Sequence, residues 1–311
     1  MKESVFQRDA FIDEIFVAAK NDRDIFFVSA DFGAPALDRF REELPNQFLH
    51  AGISEQHMID MAAGLALSGK KVYVYAMAPF ITLRCLEQTK CSLALMNLPV
   101  TILAVGVGLG YADAGPTHYS TEDIACLRSI VGLEVVSPCD ELSSRFIAKR
   151  TIEAPSLRVV RLERHALPLI YSSESELISY GHNELVKGEG VCVMSYGHLL
   201  HRILNARKSL PKPTFGVVDL FVIKPIDFNL VDILKTYDSI VTVEEQCLSG
   251  GFGSAVLEFL SDVGLKIHVK RLGLEERYFF ENGGREFLLD EFGLSKETIL
   301  QEISNLELAA L

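Results

Sequence analysis

The chain has 311 residues, of which 49% are hydrophobic and 23% are charged, and its net charge at pH 7 is −12. This composition predicts a folded protein with enough residues for two domains, and the negative charge argues against nucleic acid as a partner. No apolar run is long enough to span a bilayer, and the first residues have neither a signal-peptide nor a transit-peptide pattern, so we expect a cytoplasmic protein without membrane contact.

The chain begins with an amphipathic helix, predicted over residues 4–20, and a short apolar strand, predicted over residues 24–30. Asp31 follows at the carboxyl end of this strand. Ligands of α/β sheets bind outside the carboxyl ends of the strands, so Asp31 is a candidate site residue. A polar turn residue explains the local sequence equally well.

The stretch from His50 to Leu67 places one carboxylate, that of Glu55, in the first turn of an apolar helix. Ser54 is the predicted N-cap, and apolar residues on two faces predict a helix that is buried in a subunit interface. A helix N-terminus favours the anion of Glu55, whereas apolar surroundings favour its protonated form. A first-turn capping glutamate is the simpler interpretation of the local sequence.

Two β-rich runs without alternation, residues 71–77 and 100–106, predict strands that are covered on both faces, with a helix over 81–95 between them. This order indicates a parallel, doubly wound sheet. The GVGLG segment at 106–110 lacks the spacing of a dinucleotide-binding fingerprint, which excludes a nicotinamide site there. The loop that follows contains His118, a candidate for acid–base chemistry or an ordinary polar surface residue.

The second half continues the alternation of strands and helices. We predict an α/β protein with two tandem doubly wound domains and mainly parallel sheets, residues 1–172 and 181–311, joined by a polar linker at 173–180. Further strands are predicted at 135–137, 157–162, 190–195, 214–219, 239–244 and 266–271, and further helices from about 120, at 140–149, 198–209, 228–235 and 253–261, and from about 295.

Several stretches together resemble the thiamine-diphosphate enzymes of the transketolase and deoxyxylulose-phosphate synthase type, specifically their pyrimidine-binding and C-terminal domains. They occur in the family's order and cover nearly the whole chain. The stretches are GISEQHMIDMAAGLALSGKK, PFITLRCLEQ, AGPTHYSTEDIACLR, SPCDELSSR, VVRLERHALP, VIKPID and VTVEEQCLSGGFGSAV.

The resemblance implies a cofactor site built on the Glu55 helix. Glu55 resembles the glutamate that hydrogen-bonds the N1′ nitrogen of the cofactor's aminopyrimidine and promotes its proton transfer. Phe80 resembles the aromatic residue that stacks on the pyrimidine, although a core phenylalanine is the alternative. The same resemblance assigns Arg84, from the PFITLRCLEQ segment, and Asp31 to the cofactor site.

The resemblance also implies a substrate site. His118 resembles the histidine that transfers protons on the substrate, and Arg8 and Arg164 fall where transketolases keep arginines for the sugar phosphate. Three departures concern this site. Ala114 stands where the family has an aspartate that binds a substrate hydroxyl, and Asp113 lies one residue earlier. Gly106 replaces a histidine that contacts the substrate, and Pro35 replaces a serine that contacts its phosphate.

The family's Gly-Asp-Gly magnesium motif does not occur in the sequence, and no substitute cluster of ligands for Mg²⁺ is found. We therefore predict the C-terminal subunit of a split transketolase, which is active only with an N-terminal subunit that holds Mg²⁺ and the cofactor's diphosphate. The resemblance implies self-association through the pyrimidine-binding domains in an α2β2 assembly. The predicted reaction transfers a two-carbon ketol unit from a ketose donor to an unusual aldose-type acceptor.

Three alternatives remain open at this point. The β subunit of a 2-oxo-acid dehydrogenase E1 component has a similar length and the same two domains. A deoxyxylulose-phosphate synthase-like subunit shares the same motifs. A non-catalytic paralogue would explain Ala114 and Gly106, but the presence of Glu55 and His118 argues against it.

Overall fold

A computed structural model describes residues 5–30, 33–177, 181–212 and 214–309. Asp31 and the last part of the predicted linker, residues 178–180, lie outside these ranges. Within them, no helix combines the length and apolar character that crossing a membrane requires.

The described residues form strands and helices in near-regular alternation along the chain. The strands are β1 Ile25–Ala30, β2 Phe48–Gly52, β3 Lys71–Met77, β4 Val100–Val105, β5 Glu134–Val136, β6 Arg158–Leu162, β7 Asn183–Val186, β8 Val191–Ser195, β9 Gly216–Asp219, β10 Val222–Lys224, β11 Ser239–Cys247 and β12 His268–Leu274. The α-helices are α1 Gln7–Asn21, α2 Asp38–Glu43, α3 Glu55–Leu67, α4 Ala78–Ile81, α5 Leu86–Gln88, α6 Asp123–Arg128, α7 Glu141–Glu153, α8 Leu199–Lys208, α9 Leu230–Leu234, α10 Phe252–Asp262, α11 Gly284–Glu291 and α12 Lys296–Ala309.

Two mainly parallel sheets organise the molecule, which confirms the predicted fold class. The first sheet has the order β10-β5-β6-β4-β3-β1-β2, and only β10 runs antiparallel to its neighbour. The second has the order β12-β11-β8-β9-β7, and only β7 is antiparallel. Because β10 follows β9 in the chain, the second half of the sequence contributes one strand to the first sheet.

Apolar side chains cover both faces of the first sheet. Tyr73 and Tyr75 of β3 pack in one core cluster with α1 and α7, whereas Val72 and Val74 pack in the other with α3. Burial on both faces explains why this strand has no apolar–polar alternation in its sequence.

The predicted helix over 81–95 is not continuous, because residues 82–85 form a turn and the helical part covers residues 86–94. The chain instead forms the short helices α4 and α5 and then a π-helical turn at Thr89–Ala94. Pro79 lies in the first turn of α4, where its fixed φ favours an earlier helix start. The hydroxyl of Thr82 donates to the Ala78 carbonyl at 2.6 Å and competes with continuation of the helix.

The α3 helix differs from its prediction in two respects. Ser54 occupies the N-cap position, but its hydroxyl donates to the Ala51 carbonyl at 2.6 Å and makes no capping hydrogen bond. The helix is not buried all round in this chain, since Ile53, just before it, is 80% exposed and Leu67, at its end, is 61% exposed.

Candidate active site

The sequence-predicted site residues within the described ranges, apart from Arg8 in α1, follow the carboxyl ends of parallel strands in the first sheet. Glu55 follows β2, Phe80 and Arg84 follow β3, the loop with His118 follows β4, and Arg164 follows β6. Since β2, β1, β3, β4 and β6 are parallel neighbours, these segments meet at one edge of the sheet.

Glu55 presents a buried carboxylate at the first turn of α3. Its side chain is about 8% exposed, and Arg84 Nη1 donates to its Oε2 at 2.8 Å. Gly52, with φ +74°, makes the turn between β2 and α3 in a conformation that favours glycine. The carboxylate is thus held at a defined place by the turn on one side and the guanidinium on the other.

Phe80 connects Glu55 to the loop after β4. The Arg84 guanidinium carbon lies 4.2 Å from the centroid of the Phe80 ring, and the His118 ring meets Phe80 edge-on at a centroid distance of 5.2 Å. Thr117 Oγ1 lies 2.9 Å from His118 Nδ1, a contact that orients the half-buried imidazole. Glu55, Arg84, Phe80 and His118 therefore form one continuous group.

Gly106 and Tyr111 determine the shape of the loop between β4 and His118. Gly106 has φ +81°, and a Cβ atom there would lie 1.9 Å from Tyr111 Cε2. The Tyr111 ring thus occupies the volume that a side chain at position 106 would need. Burial raises the pKa of Tyr111 to about 12, so its hydroxyl stays protonated at neutral pH.

The two arginines predicted to bind substrate lie near Tyr111. The Arg164 guanidinium carbon is 4.4 Å from the Tyr111 ring centroid, and Arg164 Nη1 donates to Asp113 Oδ1 at 2.7 Å. This hydrogen bond lowers the pKa of the Asp113 carboxyl. Arg8 interacts with the Tyr75 hydroxyl, and the charges of both Arg8 and Arg164 act on the Tyr111 phenol.

These residues suit the ring half of thiamine diphosphate. A buried carboxylate with one charged partner can accept a hydrogen bond from a protonated ring nitrogen, and a half-buried phenyl ring can pack against a heteroaromatic ring. The same residues do not suit the diphosphate half of the cofactor, which needs a bound Mg²⁺. The described ranges contain no group of three or more His, Cys, Asp or Glu side chains arranged to hold an ion.

The sequence did not indicate one residue of the candidate site, Tyr111. An aromatic residue inside a glycine-rich loop, five positions after Gly106, was the available signal. Of the other predicted positions, Asp31 lies outside the described residues, Pro35 begins a short 3₁₀ turn at Pro35–Leu37, and Ala114 is exposed beside Asp113.

Comparison with protein families assigns both halves of the chain. Residues 4–169 match the family model described as transketolase, pyrimidine binding domain, and residues 181–299 match that described as transketolase, C-terminal domain.

Individual relatives agree with this assignment. One of the subunits of the apulose-4-phosphate transketolase of Phocaeicola vulgatus is 34% identical, over 94% of this chain and 94% of its own. The 1-deoxy-D-xylulose-5-phosphate synthase of Macrococcus caseolyticus is 33% identical over 96% of this chain, which spans only 48% of that enzyme. A split-gene transketolase, solved as an inactive tetramer of four β subunits, superimposes with a TM-score of 0.86 at 28% identity, over 97% of this chain and 98% of that one. The chain therefore belongs to the transketolase family.

Proposed function

We propose that this chain is the pyrimidine-binding subunit of a split, thiamine-diphosphate-dependent transketolase that moves a two-carbon ketol unit from a ketose donor to an aldose-type acceptor. The observation that carries this proposal is the continuous group of Glu55, Arg84, Phe80 and His118. It combines a buried carboxylate, an aromatic ring and a histidine at the sheet edge where α/β proteins bind ligands.

Glu55 holds the proton of the cofactor's aminopyrimidine in this proposal. Its carboxylate hydrogen-bonds the N1′ nitrogen, which sets the protonation state of the ring without placing an unpaired charge in a dry site. Phe80 packs against the ring, and Arg84 fixes the carboxylate. When bound, thiamine diphosphate supplies the nucleophilic carbon that carries the two-carbon unit.

The remaining residues handle the sugar. His118 lies beside Phe80 and transfers protons to and from substrate hydroxyl and carbonyl oxygens. Arg164 and Arg8 lie around Tyr111 and bind an anionic group such as a phosphate, with Asp113 holding Arg164 until substrate arrives.

Catalysis requires a second subunit in this proposal. The described residues offer no donor set for Mg²⁺, so an N-terminal transketolase-like subunit would bind the metal and the diphosphate. The similar split-gene transketolase, inactive as a tetramer of four β subunits, supports the need for a second kind of subunit. Self-association in an α2β2 assembly would also cover Ile53 and Leu67, the exposed apolar side chains at the two ends of α3.

The acceptor in this proposal is an unusual sugar phosphate. Tyr111 fills the space beside Gly106, where a family histidine would contact the sugar, so no imidazole is available to the sugar at this position. The Phocaeicola vulgatus relative is named for apulose 4-phosphate, which is a ketose phosphate by its ending, so this name supports an uncommon ketose on the donor side rather than a particular acceptor. The cytoplasmic location stays a prediction from the sequence.

A second candidate is a deoxyxylulose-phosphate synthase-like reaction, which the 33% identity to that class favours. The two reactions differ in donor, because the synthase type decarboxylates pyruvate and the transketolase type cleaves a ketose. Supplying the assembled enzyme with each donor in turn separates them. Carbon dioxide release from pyruvate would replace the ketol-transfer proposal.

Reconstitution tests the proposed function. The chain alone should bind thiamine diphosphate poorly in calorimetry with Mg²⁺ and should not turn over sugars, and both properties should appear on mixing with a subunit that carries a Gly-Asp-Gly site. Metal and diphosphate provide most of the electrostatic anchoring of this cofactor, so the partner should tighten binding by about a hundredfold or more. A magnesium-dependent complex of micromolar affinity with the chain alone would refute the split-enzyme proposal.

A further inference from the structure

Arg285, at the start of α11, lies between the two sheets and connects three segments of the chain. Its side chain is 9% exposed, its Nε donates to Glu245 Oε1 at 2.7 Å, and its Nη2 contacts the other oxygen of Glu245. Its Nη1 donates to Glu163 Oε2. One guanidinium thus bridges a carboxylate from β11 and a carboxylate that directly follows β6.

Glu163 uses its other carboxylate oxygen to hold the backbone that carries Arg164. Its Oε1 accepts hydrogen bonds from the backbone N–H of Arg164 at 2.7 Å and of His165 at 3.4 Å. The backbone N–H of Glu163 in turn donates to Gln7 Oε1 at 3.0 Å. The direction in which Arg164 leaves the sheet edge is therefore fixed by a buried carboxylate.

The state of that carboxylate depends on Arg285. Burial by itself would raise the pKa of Glu163, but the nearby Arg285 charge lowers it overall, so Glu163 accepts hydrogen bonds as an anion. Without Arg285, Glu163 and Glu245 would lose the guanidinium that hydrogen-bonds both of them. Only the electrostatic action of His198 on Glu163 and of Arg161 on Glu245 would remain, and buried carboxylates without a directly bound cation take up a proton or move toward water. Either response weakens the hydrogen bond that Glu163 accepts from the backbone N–H of Arg164.

The contact between Arg285 and Glu245 also affects the loop that leads to Tyr111. Gly108 has φ +58°, and a Cβ atom there would lie 2.1 Å from Glu245 Oε2, so the carboxylate that Arg285 holds packs against the loop leading to Tyr111. Arg285 therefore supports both segments that present the Tyr111 and Arg164 pair.

We propose that Arg285 is a positioning residue for the candidate active site and acts through Glu163 on the backbone that presents Arg164 to the substrate's anionic group. The inference rests on the proposed function, because it gives the second half of the chain a task in substrate recognition. The same contacts would be expected if Arg285 only attached α11 to the two sheets, so the experiment has to separate attachment from positioning.

A matched control is available at the same helix. Arg202 of α8 contacts Glu286 and Asp290 of α11, its side chain is 10% exposed, and no hydrogen bond or ion pair in the described part of the chain joins it to residues 163–165. Arg202→Met therefore weakens the attachment of α11 without touching the backbone that carries Arg164. Arg285→Met removes both the attachment and the charge beside Glu163.

The experiment compares the two variants in the reconstituted complex with the partner subunit. Hydrogen exchange of a peptide covering residues 163–167 reports the Arg164 and His165 amides, and steady-state kinetics report kcat and the KM for the acceptor. Positioning predicts that Arg285→Met speeds exchange there and raises acceptor KM by about 10- to 100-fold, with a smaller change in kcat, whereas Arg202→Met does neither. Arg285→Lys, which keeps the charge but not the forked geometry, should give an intermediate KM.

Equal exchange at residues 163–167 in both variants would overturn the proposal, and so would faster exchange with an unchanged acceptor KM. If Arg285→Met does not fold, Arg285→Lys carries the same comparison with Arg202→Met. A wild-type complex without any sugar transfer would instead defeat the proposed function, and the exchange data alone would then decide whether Arg285 orders this backbone.

Discussion

Arg84 donates a hydrogen bond to Glu55 at 2.8 Å and thereby joins the first turn of α3 to the segment after β3. The same guanidinium lies 4.2 Å from the Phe80 ring centroid. Arg84 thus contacts the two groups that the proposed function assigns to the aminopyrimidine ring. Its own side chain is 43% exposed, so it can adjust when a ring enters the site.

Replacing Glu55 by glutamine should abolish most transfer activity while leaving the fold intact. Glutamine keeps the shape and a hydrogen-bonding oxygen but cannot exchange a proton with a ring nitrogen, and loss of one positioned proton-transfer group costs about a hundredfold or more. Turnover of the reconstituted enzyme measures the loss. Glu87→Gln, an exposed acid of the same region, is the control and should keep full turnover. Near-normal turnover of Glu55→Gln would remove Glu55 from the mechanism.

Replacing Arg84 by methionine should have a smaller effect on the same site. The carboxylate of Glu55 loses its charged hydrogen-bond partner and is less fixed, but the exposure of Arg84 limits the interaction to about 1 kcal/mol. We therefore expect cofactor binding to the complex to weaken by about tenfold or less. Calorimetric titration measures the change, with Lys90→Met as the exposed control. Tighter binding than in the wild-type complex would mean that Arg84 competes with the cofactor.

The α/β fold class followed from the sequence because it depends on periodicity and strand–helix order, which are local properties. The position of Glu55 in the first turn of an apolar helix could be predicted for the same reason, whereas its assignment to the cofactor site came from the resemblance to the family. The broken helix after β3 could not, since it depends on how Pro79 and Thr82 compete with continuation of the helix. Tyr111 and Arg285 could not either, because their roles come from contacts with residues distant in the chain, and the ring that fills the space beside Gly106 is visible only in three dimensions.

Replacing Tyr111 by leucine should broaden acceptor selection. The tyrosine ring fills the volume beside Gly106 and packs against the Arg164 guanidinium. Its loss therefore opens space in the proposed substrate site and removes the contact that holds Arg164 against the ring. We expect the ratio of kcat/KM values for different aldose phosphates to change by about tenfold or more, which corresponds to one lost packing or cation–π contact. Tyr278→Leu is the control, because Tyr278 is 72% exposed. Unchanged ratios for Tyr111→Leu would place this ring outside substrate recognition.

Asp219 should make the stability of the second half of the chain depend on pH. Burial raises the pKa of its carboxyl to about 7, and Tyr171 donates to its Oδ2 at 2.8 Å. The folded state therefore holds a proton that the unfolded chain releases above about pH 4. This contribution to stability is complete below that pH and is lost as the pH rises toward 7.

Asp219→Asn removes the titration, so the free energy of unfolding of the variant minus that of wild type should rise with pH by up to about 1.4 kcal/mol per unit between pH 4 and 7, and should level off above pH 7. Denaturant unfolding at several pH values measures this difference. Asp232→Asn, at a side chain that is 71% exposed on α9, should show a flat difference over the same range. A flat difference for Asp219→Asn as well would show that Asp219 is ionised in the folded protein throughout this range.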